Sequence, residues 1–122
     1  MINVIFAGLG LIFAGLGAWM WKKPPRKINL LAGYRTQRSM KSQAAWDFAQ
    51  VYAGRLMSLC GLALLLVIAP LFWLSGYNYD TGNPVLIVLL PIIPIVAATI
   101  IPLYFTERKL KQLFDNEGNP KK

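Results

Sequence analysis

The sequence predicts an all-α membrane protein, with three transmembrane helices and a cytoplasmic interfacial amphipathic helix preceding the second span. Three observations predict it. Uncharged apolar runs cover residues 2–21, 56–76 and 85–105 of the 122-residue chain; a run of ~20 residues, at ~1.5 Å per helical residue, matches the ~30 Å hydrocarbon thickness of a bilayer. Hydrophobic residues make up 56% of the chain, and lipid offers exposed backbone no hydrogen-bond partner, so runs this dry must be helical. Third, the net charge of +8 is unevenly placed. Residues 22–55 hold eight Lys/Arg against Asp47, and residues 106–122 hold five against Glu107, Asp115 and Glu117. The segment between the second and third runs holds Asp80 and no base. Lys/Arg-rich short loops stay in the cytoplasm. The N-terminus is therefore placed outside, loop 22–55 inside, the turn near 77–84 outside and the tail inside, as one domain.

In the first span Phe6-Ala7-Gly8-Leu9-Gly10 recurs as Phe13-Ala14-Gly15-Leu16-Gly17. Gly10, Ala14 and Ala18 then share a face that a neighbouring backbone can approach closely, either another span of the same chain or a second copy in a homo-oligomer. No bases precede this run and Gly17-Ala18-Trp19 is a poor cleavage site, so it reads as a retained anchor and not a signal peptide. Trp19, Trp21, Lys22 and Lys23 mark the inner interface, and Pro24-Pro25 stops the helix.

Residues 29–39 are rich in hydrogen-bonding side chains around Gly33, as expected of an ordered loop. Ser39 or Ser42 can cap the amphipathic helix that follows. Trp46, Ala49 and Ala53 form one stripe there, and Phe48, Val51, Tyr52 and Arg55 an adjoining one, with a bend expected at Gly54. The second span carries Cys60, the one cysteine, as a small packing residue, and Pro70. Trp73, Tyr77 and Tyr79 should mark the outer interface, and Asn78-Tyr79-Asp80-Thr81-Gly82-Asn83-Pro84 a tight turn. Pro91, Pro94 and Pro102 should shape a bent third helix, with Tyr104 at its inner end. Beyond Phe105 a further turn or two is expected, Leu110, Leu113 and Phe114 sharing a face; from Asp115 the chain should fray.

The chain has no His, no Cys pair and no cluster of carboxylates, so neither metal nor cofactor chemistry is expected. Serine and threonine nucleophiles lack a recognisable base, and the chain is read as a non-enzyme. The basic pI of 9.9 is accounted for by juxtamembrane cations facing anionic headgroups, without a nucleic-acid partner. Among the motif residues Arg35 stands first: a guanidinium at headgroup level can fork onto a carboxylate, a lipid phosphate or a helix end. Asp47 is its expected partner, with Asn29, Thr36, Ser39 and Ser42 completing a polar network and Trp46 anchoring at the interface. Such a network either pins the loop to the spans or forms a recognition surface.

The pattern Asn29-x3-Gly33-Tyr34-Arg35-Thr36-x2-Ser39-x2-Ser42-x3-Trp46, followed by Ala49 and Ala53-Gly54, resembles the SdpI/YfhL family of bacterial membrane proteins. The layout of one span before it and two after resembles that family's core, with a departure at Gln43-Ala44, where an acid is expected. The resemblance implies a protein of the bacterial cytoplasmic membrane conferring immunity to a membrane-active toxic peptide. It also implies capture of a cytosolic regulator such as a repressor, which is the adaptor alternative. A small transporter or channel subunit is the third reading, suggested by the prolines of the third span and opposed by the lack of intramembrane charge.

Overall fold

The structure is a computed structural model that describes residues 2–29, 33–76 and 82–121. Its helices are α1 (Ile2–Lys22), α2 (Gln43–Ala63), α3 (Ala69–Leu74) and α4 (Pro84–Leu113). α2 and α3 are joined by a single widened turn, Leu64–Ile68, in which the Ala69 N–H reaches back to the Leu64 carbonyl. Pro70 supplies the reason: its ring would press on the carbonyl four residues earlier, and a π turn just ahead of it relieves the clash. Three helical stretches, Val4–Lys22, Gln43–Leu74 and Pro84–Leu113, are long and apolar enough to cross a bilayer. The expected turn residues Tyr77, Asn78, Tyr79, Asp80 and Thr81 lie outside the described residues.

α1 and α2 run antiparallel and touch through glycine. A Cβ added at Gly10 would lie 2.7 Å from the Gly61 carbonyl oxygen, and one at Gly17 2.6 Å from that of Gly54. The two glycines of α1 are seven residues apart and so are the two of α2, so the direct repeat in the first span meets a matching heptad in the second. Backbone-to-backbone approach of this kind drives helix association in lipid, where apolar burial alone does not. The small-residue face of α1 is thus occupied by α2 of the same chain, while Gly8 and Gly15 on its other side meet nothing within 4 Å. This also explains why the chain stays helical through Gly54, where a bend was expected: the glycine serves contact, not flexure. Above this seam Phe6, Leu64, Ala69 and Ala98 form an apolar cluster, with Phe6 and Phe72 rings 4.8 Å apart.

Helix length places the other end of the bundle. The 32 residues of Gln43–Leu74 measure ~48 Å at ~1.5 Å each, well over the ~30 Å hydrocarbon core. The 30 residues of α4 measure ~45 Å on the same rule, helical through Pro91, Pro94 and Pro102. Both helices therefore project beyond the apolar zone at the basic end. The amphipathic stretch is a direct extension of the second span, and α4 packs along it. Ala45, Ala49, Leu110 and Phe114 make a second apolar cluster there, flanked by Tyr34 and Phe48. Leu113, expected on the same face, is exposed instead.

The tail corrects another expectation. Residues 114–121 fold back as a turn and do not fray. The Asp115 carboxylate accepts from the N–H groups of Glu117 and Asn119, both at 2.9 Å, and an isolated bridge pairs Phe114 with Pro120. Gly118 takes a positive φ of 84° at the bend, and its carbonyl accepts the Ser42 hydroxyl. An acid-led turn satisfies its own backbone locally, which polarity and Gly/Pro content alone do not reveal.

Candidate functional site at the basic end of the bundle

One face of α2 holds the incoming chain. Gln43, Trp46, Asp47 and Gln50 follow the i, i+3, i+4, i+7 spacing that aligns side chains on a helix. The Trp46 indole N–H donates to the Pro25 carbonyl at 2.6 Å, and the Gln43 amide N–H to the Arg26 carbonyl at 2.6 Å and to the Asp47 carboxylate at 2.7 Å. Gln50 does most. Its oxygen accepts the Tyr34 N–H at 2.7 Å and its nitrogen donates to the Tyr34 carbonyl at 2.7 Å, so a side-chain amide replaces a strand partner. Gln50 is fully buried, where an unpaired amide would be costly. Gly33 makes room: it adopts φ 101°, and a Cβ there would stand 2.5 Å from the Gln50 oxygen and 2.9 Å from the Pro25 ring.

Thr36 and Ser39 then close on each other. The Thr36 N–H donates to the Ser39 hydroxyl oxygen at 2.8 Å, and the Ser39 N–H to that of Thr36 at 3.2 Å. The buried Ser39 hydroxyl also points at the Tyr34 carbonyl, 3.1 Å away. This reciprocal pairing follows the logic of a capping box, with the spacing S/T-x-x-S. Ser42, not Ser39, caps α2, accepting from the Ala45 N–H at 3.1 Å.

From this frame Tyr34 reaches α4. Its hydroxyl donates to the Glu107 carboxylate at 2.7 Å, and Arg38 stands 3.8 Å from the other oxygen of that carboxylate. Burial pushes the Tyr34 phenol well above its ordinary value, and the hydrogen bond to Glu107 and that group's negative charge push it further the same way. Tyr34 is therefore a neutral donor across any physiological pH. The Arg38–Glu107 contact is half-exposed and contributes little by itself.

Beneath this lid lies a groove. α1 packs chiefly on α2 and meets α4 only sparsely, which leaves a cavity of about 460 Å³ between them. Its walls are Leu16 and Met20 from α1 and Thr99 and Leu103 from α4, with Met57 of α2 behind and Tyr34 at the basic end. The wall positions of α1 and α4 fall within their apolar runs, so the groove faces the hydrocarbon zone laterally. Thr106, one turn beyond Pro102, is fully buried, and its hydroxyl has no partner among the described residues.

Of the residues singled out from sequence, Gly33, Tyr34, Thr36 and Ser39 come together around Gln50, and Ser42 and Trp46 tie the flanking chain. Asn29 bonds to the Lys27 carbonyl at 2.9 Å, two residues away. Two expectations are corrected. Arg35 and Asp47 are not paired: Asp47 takes the Gln43 amide, and Arg35 is exposed with no hydrogen bond or ion pair to a described residue. Trp46 is fully buried, so it is a core residue pinning Pro25 and not an interfacial anchor. Gln50, Glu107 and Arg38 were missed. Gln50 had a signal, being a polar residue on the same stripe as Trp46, Ala49 and Ala53; Glu107 had none, because its partner is 73 residues away.

The profile of the SdpI/YfhL protein family matches residues 26–104. The uncharacterized protein YfhL of Bacillus subtilis (strain 168) is 36% identical over 118 residues, covering 97% of this chain and 94% of that one. No solved structure gives a significant match.

Proposed function

The chain belongs to the SdpI/YfhL protein family, and from that premise we propose that it confers tolerance to a membrane-active toxic peptide by holding the peptide in the groove between α1 and α4. In this reading the protein sits in the bacterial cytoplasmic membrane with the basic loop and tail inside and the N-terminus outside. It acts as a binding protein and not as a catalyst. The observation that carries the reading is the groove itself: about 460 Å³ of apolar cavity between α1 and α4, closed at one end by Gly33 and Tyr34. A hydrophobic peptide helix or its side-chain anchors suit such a surface, since affinity comes from apolar knobs in a preformed cleft. At its basic end the lining closes on Tyr34, a neutral phenol bonded to Glu107.

The test is expression in a sensitive strain challenged with a panel of membrane-active peptides. Wild type should raise survival against at least one of them, and Thr99→Trp, which fills the groove from an exposed position, should abolish the gain at equal membrane abundance. Survival that never changes across the panel, or that Thr99→Trp leaves intact, contradicts the proposal.

A second reading is favoured by Arg35, an exposed guanidinium that makes no ion pair with a described residue. Such a group suits docking of an acidic surface on a soluble regulator. Pull-down from cells should then recover a partner that Arg35→Ala loses; identical partner sets from both proteins exclude this role.

A further inference from the structure

On the opposite side of α4 from Glu107, Phe105, Arg108, Lys109 and Gln112 line one face and enclose with Tyr52 of α2 a cleft of about 280 Å³. We propose that this cleft binds the headgroup of an anionic phospholipid. Four features lead there. The residues follow i, i+3, i+4, i+7 on α4, so two cations and an amide present a single surface. Arg108 and Lys109 are the first cations after an uncharged run that begins at residue 81, which sets them at headgroup depth. Neither makes an ion pair with a described residue, and the nearest acid in sequence, Glu107, is spent on Tyr34 and Arg38 across the helix. The membrane side of the cleft is aromatic, with the Tyr52 ring stacked on Phe48 at 5.3 Å, so glycerol and ester groups meet rings while phosphate meets charge.

A guanidinium beside an ammonium answers a headgroup of net negative charge better than a zwitterionic one, whose own ammonium the pair repels. Basic pockets between helices at the cytoplasmic end of a bundle recognise anionic lipid on this principle. The cleft is separate from the groove between α1 and α4, so this site stands or falls independently of the peptide-binding proposal.

Native mass spectrometry of the detergent-solubilised full chain, titrated with phosphatidylglycerol, phosphatidylcholine or free glycerol phosphate, tests the site. The expected result is one phosphatidylglycerol retained with about tenfold or greater preference over phosphatidylcholine, and no competition from glycerol phosphate. Arg108→Gln/Lys109→Gln should lose the preference, while Lys22→Gln/Lys23→Gln, which removes the same charge at the same bilayer end, should keep it. Both positions of the first pair are exposed, and unchanged helicity verifies the fold. Equal loss in both variants, full retention in the first, or displacement by glycerol phosphate would each overturn the assignment: the first two by showing diffuse attraction, the last by showing a soluble phosphate site.

Discussion

Replacing Gln50 with leucine tests the frame of the motif loop most sharply. The change keeps comparable side-chain volume, one bond shorter, but removes both bonds to Tyr34, each 2.7 Å in the native chain. The two halves are unequal. The Tyr34 carbonyl keeps the Ser39 hydroxyl at 3.1 Å, so losing the Gln50 donor costs about one ordinary hydrogen bond, ~1 kcal/mol. The Tyr34 N–H has no second partner among the described residues and is left unpaired in a partly buried setting, a further ~1–3 kcal/mol. The sum is ~2–4 kcal/mol, a large part of a small domain's stability. Denaturation in mixed detergent micelles reads the total, and hydrogen exchange at the Tyr34 amide reads the local part. Gln50→Leu within about 0.5 kcal/mol of wild type, with Tyr34 equally protected, would show that the amide does not hold the loop.

Four further outcomes follow from the same contacts. Gly61→Ala should lower stability by ~1–3 kcal/mol, because its Cβ meets the Gly10 carbonyl oxygen at 2.7 Å, whereas Gly15→Ala, facing open space, should be neutral or stabilising; equal effects in thermal unfolding would contradict the glycine seam. Thr106→Val should leave stability unchanged or raise it by ~1 kcal/mol, since the buried hydroxyl has no partner among the described residues; a loss in the same unfolding assay would contradict this. The raised Tyr34 pKa makes its contribution fully present below about pH 10, the unfolded phenol's value, and falling as pH climbs above it, because the unfolded chain then releases a proton the folded one keeps. Spectrophotometric titration should accordingly show one late-ionising tyrosine, absent in Tyr34→Phe; a single step with all phenols together would refute the burial. Ser42→Ala should cost ~1 kcal/mol of helix cap and free the tail, read as protease cleavage near Gly118; an intact tail would mean that the Asp115 turn alone suffices.

Much of the fold was legible because lipid leaves few choices. Twenty dry residues must be a helix, and the spacing of cations orders the ends. The contact between α1 and α2 was half visible: the repeat in the first span announced a close-packing face but left its partner open, and Gly54 and Gly61, also seven residues apart, supply it where only a bend at Gly54 was expected. The motif loop was recognisable as ordered from Gly33 and the hydroxyl-bearing residues, and Thr36 and Ser39 do bond to each other. What sequence spacing hid were the long-range pairings. Arg35 looked like the working cation because it adjoins the glycine, but the chain's turn at residues 37–40 brings Arg38 to Glu107 and leaves Arg35 outside. Trp46 read as an interfacial residue because indoles favour that zone, yet it is fully buried and its N–H is held by the Pro25 carbonyl. Gln50 was hidden by its chemistry, since a polar side chain on an apolar stripe is ordinarily a flaw and here is the keystone.

The central claim is that a peptide occupies the groove under the Gly33-Tyr34 lid. Photo-crosslinking in native membranes addresses it directly, with benzoylphenylalanine placed at Leu16 or Leu103 in the groove and at Leu11 or Ile101 on exposed positions outside its lining. With a peptide to which the protein confers tolerance, the two groove positions should form adducts and the two outer positions should not. Adducts of equal yield at all four, or none at Leu16 and Leu103 while tolerance persists, would place the protective contact elsewhere.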